Sequence, residues 1–334
     1  LINAFTGTQA ANSAVSLDGI FKIVGVDYVT IRSIDLAEIA GNASDPNYME
    51  MGYGLLRASA TNGTQNCSIR NCVITLNNQH TGVWPASLSP FIGSVGIFSG
   101  PITNTSTTAL AGSSATGANS NNLFYGNTLQ NVSTGIAIKG IADGAPYAGY
   151  DLSNIVGSAD TLANTIQNFR YFGVYTVCQN ALSIASNTIN NMSGGGSAPT
   201  ESFYGIYNDN TTNSTSTIAS NTINLTSGVM AAAGNCFAIT ECAGGTGAAN
   251  VNFNTITLSG GGGLTSFFGI NRPTGLSLLA NYNVGNNNFR NFNISTTSAA
   301  GLATSGLILN NNNPIDNQSY TNNYTSGSSA PYIV

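Results

Sequence analysis

Short apolar–polar alternations recur along the chain, three to six residues long and separated by Gly, Asn, Ser and Pro. One stretch shows the unit: Phe203-Tyr204-Gly205-Ile206-Tyr207, then Ser216-Thr217-Ile218-Ala219-Ser220, then Asn221-Thr222-Ile223-Asn224-Leu225. Period two over so few positions predicts short strands, and no 3.6-residue period persists. The alternations come in order. An Asn-Thr-Ile motif appears at Asn127-Thr128-Leu129, Asn164-Thr165-Ile166, Asn187-Thr188-Ile189, Asn221-Thr222-Ile223 and Asn254-Thr255-Ile256, with looser copies at Asn71-Cys72-Val73, Asn287-Asn288-Phe289 and Asn322-Asn323-Tyr324. From Asn187 onward it returns every 33 to 35 residues. A small–apolar pair interleaves with it: Gly54-Leu55, Gly96-Ile97, Gly135-Ile136, Gly173-Val174, Gly205-Ile206, Ala238-Ile239, Gly269-Ile270 and Gly306-Leu307.

Such a fixed order of strands is the signature of a stacked repeat array. The expected fold is all-β: a right-handed parallel β-helix of about eight coils with three short strands per coil. Ile166, Ile189, Ile223, Ile256 and Phe289 then form one inward column, and Val174, Ile206, Ile239 and Ile270 another. Asn71, Asn127, Asn164, Asn187, Asn221, Asn254 and Asn287 form an Asn ladder at a bend, where Asn tolerates left-handed angles and its amide bonds the next Asn. The Gly column marks a close backbone approach. The whole span 1–334 reads as one β-helix region of a longer chain, with insertions near 77–93, 101–122 and 141–163. Loops on a rigid scaffold often carry function, and the first of these holds the single His (His80) and single Trp (Trp84).

Composition narrows the function classes. Only 6% of residues are charged, with 8 Lys+Arg against 13 Asp+Glu and a net charge of -5. Nucleic-acid binding needs clustered Lys and Arg, so it is excluded as a partner class. An apolar fraction of 42% in strand-like spacing argues against disorder. No apolar run is long enough for a membrane-spanning helix. The five Cys (Cys67, Cys72, Cys178, Cys236, Cys242) form no C-x-x-C pair, so no metal site of zinc spacing is expected. Cys67/Cys72 and Cys236/Cys242 are readable as local disulfides or as packed thiols.

Asn-x-Ile coils with an Asn ladder resemble the pectate-lyase-type right-handed β-helix superfamily. Within the first hundred residues, Val26-Asp27-Tyr28-Val29-Thr30-Ile31, Tyr53-Gly54-Leu55-Leu56-Arg57 and Asn66-Cys67-Ser68-Ile69-Arg70-Asn71-Cys72-Val73-Ile74 resemble the β-helix regions of giant surface proteins exported by type IX secretion in Bacteroidetes-type bacteria. The resemblance implies a secreted or cell-surface location and a structural or adhesive role. The superfamily also hosts lyases and hydrolases, so fold alone does not fix function.

Candidate chemistry is sparse. Glycan cleavage would draw on Asp209, Glu241 and Arg272, with Glu241 and Arg272 expected in one outward column as a surface pair. Asp143, Asp151 and Asp160 are a calcium option without regular spacing, and Asp45 with Glu50 is equally open. Tyr175, Tyr207, Thr240 and Asn271 form an outward column suited to binding sugar rings or packing on a neighbour. Thr128, Thr165, Thr188, Thr222 and Thr255 form another, whose companion column of Gln130, Gln167, Asn190, Asn224 and Thr257 breaks the pure Thr array that ice binding would use. The leading expectation is a stiff structural or adhesive surface module that leans away from catalysis. Its expected partners are copies of itself, neighbouring parts of a longer chain, glycans or another cell surface. The alternative is a carbohydrate-active β-helix enzyme.

Overall fold

A computed structural model describes residues 1–8, 17–42, 46–77, 88, 93–110, 114–157, 162–191, 202–209, 213–226, 230–242, 247–273, 281–295, 304–310, 318–321 and 324–326. Every regular element among them is a strand, and every ladder between strands is parallel. The chain is a parallel β-helix with three faces. A sixteen-stranded sheet covers faces one and two, and a nine-stranded sheet makes face three. In one coil, Thr188–Asn190 lies on face one, Phe203–Asp209 on face two and Thr215–Ala219 on face three. In Thr128–Lys139, Thr165–Val177 and Thr255–Arg272 a single strand runs on from face one to face two, so the corner between them is bridged without a break.

Three inward columns fill the interior. Face one gives Ile74, Leu129, Ile166, Ile189, Ile223, Ile256 and Phe289. Face two gives Tyr53, Ile97, Ile136, Val174, Ile206, Ile239, Ile270 and Ile308. Face three gives Ile31, Ile69, Phe124, Val156, Ile184, Ile218, Val251 and Val284. All of them are buried and join one core. Each such side chain contributes roughly 1.5–3 kcal/mol, so the column supplies stability in proportion to the number of rungs.

The Asn ladder occupies the corner from face three to face one. The Oδ1 of Asn221 accepts from the backbone N–H and the Nδ2 of Asn187, both at 2.9 Å. Asn221 in turn donates its N–H and Nδ2 to Asn254 Oδ1 at 3.0 Å and Nδ2 to the carbonyl of Ile184 at 2.9 Å. The same links join Asn127 to Asn164, Asn164 to Asn187, and Asn254 to Asn287. Only an amide serves here, because it accepts from one rung while donating to the next and to the carbonyl that ends face three.

Two sequence expectations need correction at this corner. Asn71 does not belong to the ladder: Cys72 takes that place, its N–H donating to Asn127 Oδ1 at 3.1 Å. The ladder residues are not the left-handed ones either. The positive φ falls on the residue before, at Asn71 (55°), Gly126 (68°), Ser186 (58°), Ser220 (58°), Phe253 (59°) and Asn286 (56°), with Asn164 the exception. The turn and the cross-rung bonding are therefore split between adjacent positions. Asn322 lies outside the described residues.

The glycine column is real, with its first and last members shifted. Gly52, Gly96, Gly135, Gly173 and Gly205 align, followed by Ala238, while Gly54 pairs with Phe98 and Gly306 with Phe268. A Cβ on Gly205 would stand 2.5 Å from the Ala238 carbonyl oxygen and 2.9 Å from Ile223 Cγ2. Face two here leans against the Ile column of face one.

The expected insertions are smaller than the sequence suggests. Within 141–163, Ile155–Val156 is a regular rung of face three, between Leu123–Phe124 and Ser183–Ile184. Within 101–122, the segment from Ser114 to Ser120 folds onto the corner of an earlier coil, with the Gly63 N–H bonding the Thr116 carbonyl at 2.9 Å. Most of 77–93, including His80 and Trp84, lies outside the described residues. All five Cys are free and buried.

Two outcomes follow. Asn221→Ala removes the acceptor of the buried Asn187 N–H and the Nδ2 bonds to Asn254 Oδ1 and the Ile184 carbonyl. It should cost about 3 kcal/mol or more in a denaturant midpoint measurement, while Asn224→Ala, on the outer side of face one, should cost under about 0.5 kcal/mol. Gly205→Ala should cost about 1–3 kcal/mol through overpacking. Gly144→Ala, whose Cβ would meet nothing within 4 Å, should leave the melting temperature unchanged.

Candidate functional site

Face two carries the densest outward chemistry. The column foreseen from sequence is present in register: Tyr175 pairs with Tyr207, Tyr207 with Thr240, and Thr240 with Asn271. A second outward column, not foreseen, runs beside it through Phe172, Tyr204, Phe237 and Phe268. Its signal was an aromatic three residues upstream of each Tyr. The glycine bend between them breaks strict alternation, so positions three apart share a side.

The rings stack on each other along the helix axis. Phe172–Tyr204 centroids are 5.3 Å apart at 13°, Tyr175–Tyr207 5.5 Å at 22°, and Phe237–Phe268 5.9 Å at 27°. Edge contacts tie the two columns together, with Phe172–Tyr175 and Tyr204–Tyr207 both at 5.0 Å. Faces used for mutual stacking are not open platforms for sugar rings. Burial agrees, since Tyr175 is 3%, Thr240 1% and Asn271 5% exposed. Only Tyr204 and Tyr207 stay half-exposed. The expectation of an exposed binding column is thus corrected: Tyr175 lies in a second apolar cluster outside the main core, with Met51, Val95, Phe98 and Ile102, and Tyr207 packs against it.

The proposed catalytic trio is divided by the wall of the helix. Asn208, Glu241 and Arg272 share a column, but it faces inward, and Glu241 and Arg272 are fully buried. The Glu241 carboxylate accepts from Asn208 Nδ2 at 2.9 Å on both oxygens and from Ser216 Oγ at 2.9 Å. The Arg272 guanidinium lies 5.0 Å over the Tyr282 ring. The sequence error was one of parity: two residues past an inward Ile is inward again. Neither group can reach a polymer outside.

Asp209 alone faces outward, where its Oδ2 accepts from the Tyr175 hydroxyl at 3.2 Å. Burial raises the Asp209 carboxyl above the usual carboxylate range, against the pull of the Tyr175 hydrogen bond and the Lys139 charge. Burial lowers Lys139, opposed by the neighbouring Cys178 and Asp209. Tyr175 is raised by burial first and by Asp209 next, so its phenol keeps the proton it donates. Burial likewise pushes the Cys178 thiol up to about 12.

Of the acids in the calcium option, Asp143 and Asp151 lie among the described residues, and each is engaged elsewhere. Asp151 is wholly buried and ion-paired to Arg57 at 3.0 Å, its Oδ1 also accepting from the Asn119 N–H at 2.8 Å. Burial raises the Asp151 carboxyl to about 6 despite that partner. Asp143 Oδ2 accepts from the Gly149 N–H at 2.9 Å, closing its own loop. Asp160 and Asp45 lie outside the described residues. Among the described residues no group of three or more His, Cys, Asp or Glu is placed to hold a metal, and no helix is long and apolar enough to cross a membrane.

Glu50 yields a pH prediction. Its Oε2 accepts from the Asp18 N–H at 2.6 Å, its Oε1 is buried without a partner, and burial raises its carboxyl to about 8. A folded value above the unfolded one means that folding takes up a proton. The contribution is complete below about pH 4.5 and is lost as pH rises through about 8. The melting temperature should therefore fall from pH 5 to 8.5. Glu50→Gln should remove most of the fall above pH 6 and leave the Asp151 part below it. An equal slope in both proteins counts against the assignment.

No family model matches the chain, and no curated protein matches it in sequence. Among solved structures, the A-module of the Azotobacter vinelandii mannuronan C-5 epimerase AlgE6 is similar, at 11% identity and a TM-score of 0.26 over 94% of this chain and 90% of that one. The assignment of a parallel β-helix rests on the strand pairing of the chain itself.

Proposed function

We propose that the chain is a structural and adhesive module of an extracellular surface assembly, a stiff solenoid of low charge. One observation carries this reading. The Asn amides from Asn127 to Asn287 bond rung to rung without interruption, and the outward chemistry of face two is spent on the same axial stacking. Side chains inside and outside the wall are both used to hold successive coils together. Export by a type IX pathway and continuation into neighbouring coils, or stacking of copies, belong to the same proposal. A net charge of -5 over 334 residues opposes association between copies only weakly.

A second reading, a carbohydrate-active enzyme, is favoured by one feature: the outward group of Asp209, Tyr175 and Lys139 on face two. Two measurements separate the readings. Immunogold labelling of intact producing cells should place the protein at the surface, and the purified protein should appear as short rods in negative stain. Label confined to the cell interior overturns the surface module. Cleavage of a polysaccharide by the purified protein, abolished in Asp209→Asn, establishes the enzyme instead.

A further inference from the structure

The beginning of face three holds a second feature, distant in sequence from the aromatic columns. Arg32 pairs in register with Arg70, and Arg70 with Tyr125. Both side chains leave the outer side of the sheet, since Ile31, Ile69 and Phe124 next to them point inward. The two arginines thus start from adjacent rungs, about 4.8 Å apart in the ladder direction at their backbones. Like charges in directly opposed positions repel. Neither arginine is ion-paired to an acid among the described residues. The nearest acids in sequence are otherwise engaged, Asp27 Oδ1 accepting from the Gln65 N–H at 3.0 Å and Asp35 Oδ1 from the Val73 N–H at 2.7 Å.

Arg70 is held in place. Its Nη1 donates to the Tyr125 hydroxyl at 2.8 Å, its guanidinium carbon lies 5.9 Å from the Tyr125 ring centre, and its Nε is buried without a partner. Arg32 is exposed. Tyr28, at the corner leading into the strip, is 80% exposed and sits at a φ of 61°. The same corner is left-handed in later coils, at Asn66, Asn121, Ser153, Ala181 and Asn213, so this φ belongs to the turn that opens face three. The hydroxyls of Thr30 and Ser68 bond each other at 3.1 Å in the adjoining outward column.

We propose that Arg32, Arg70, Tyr125 and Tyr28 form a binding strip for an anionic polysaccharide. A carboxylate or sulfate group sits between the two guanidiniums, and a sugar ring packs against a tyrosine. Arginine's planar fork suits both oxyanions, and aromatic rings suit the C–H faces of sugars. A nucleic acid or an anionic membrane would need many more cations than two. The strip deepens the surface-module reading by naming a ligand class for it. Its failure would leave the rod and its surface location untouched, because those are measured separately.

The test is affinity electrophoresis of the whole chain in gels containing polygalacturonate, dextran sulfate, neutral dextran or poly-L-glutamate. Retardation by polygalacturonate or dextran sulfate, and not by dextran, is expected, and the stronger of the two names the acidic group. Arg32→Gln with Arg70→Gln should weaken it tenfold or more, Arg32→Gln alone should weaken it with an unchanged melting temperature, and Arg70→Lys should restore only part. Should the double variant fail to fold, Arg32→Gln alone carries the test, because that side chain is exposed. No retardation by either acidic polysaccharide, or an unaffected double variant, overturns the proposal. Equal retardation by poly-L-glutamate overturns its saccharide part in favour of an acidic protein partner.

Discussion

The structure depends on one constraint: each coil lies in register over the one before, so that like residues stack at the spacing of a parallel ladder. Backbone hydrogen bonds alone do not set that register, because a slip of one residue keeps the ladder while turning every side chain to the other side of the wall. What pins it is chemistry that works only when aligned. The Asn amide must find the next Asn amide and the carbonyl that closes face three. The glycine of face two must meet the Ile of face one, since a Cβ at Gly173 would lie 2.7 Å from Ile189 Cγ2. A slip would bury unpaired donors at one corner and force a clash at another.

The same constraint explains how a chain with 6% charged residues holds together. The interior needs no network of ion pairs, because its three apolar columns extend with each coil. Where charge does enter, it is placed by coil geometry. Arg57 and Asp151, 94 residues apart in sequence, pair in complete burial at 3.0 Å. Glu241 and Arg272 are fully enclosed, with Asn208 and Ser216 bonding the carboxylate and the Tyr282 ring beneath the guanidinium. Such groups, unlike the half-exposed Asp209, sit where no polymer reaches.

Much of the fold was legible in the sequence, since a repeat writes the same physical demand many times. Ile189, Ile223 and Ile256 announce an inward column by recurrence, and Asn187, Asn221 and Asn254 announce the ladder. Legibility failed where a local irregularity shifts parity by one residue. Asn71 imitates the ladder but is the turn residue before it. Glu241 and Arg272 were misplaced by one residue, since each stands two positions past an inward Ile and is therefore inward. Phe172 and Tyr204 were hidden by the glycine bend. Ile155–Val156 was lost among Gly and Pro because the rung is only two residues long. The Arg32–Arg70 pairing could not be read from either residue alone, as it exists only once the register of the two coils is known.

The account is tested most directly by distance. Spin labels at Thr128 and Thr255, four rungs apart in one outward column of face one, should show a narrow dipolar distribution centred near about 19 Å, apart from the label linkers. A broad distribution, or one centred beyond about 35 Å, would contradict a stack of coils in register.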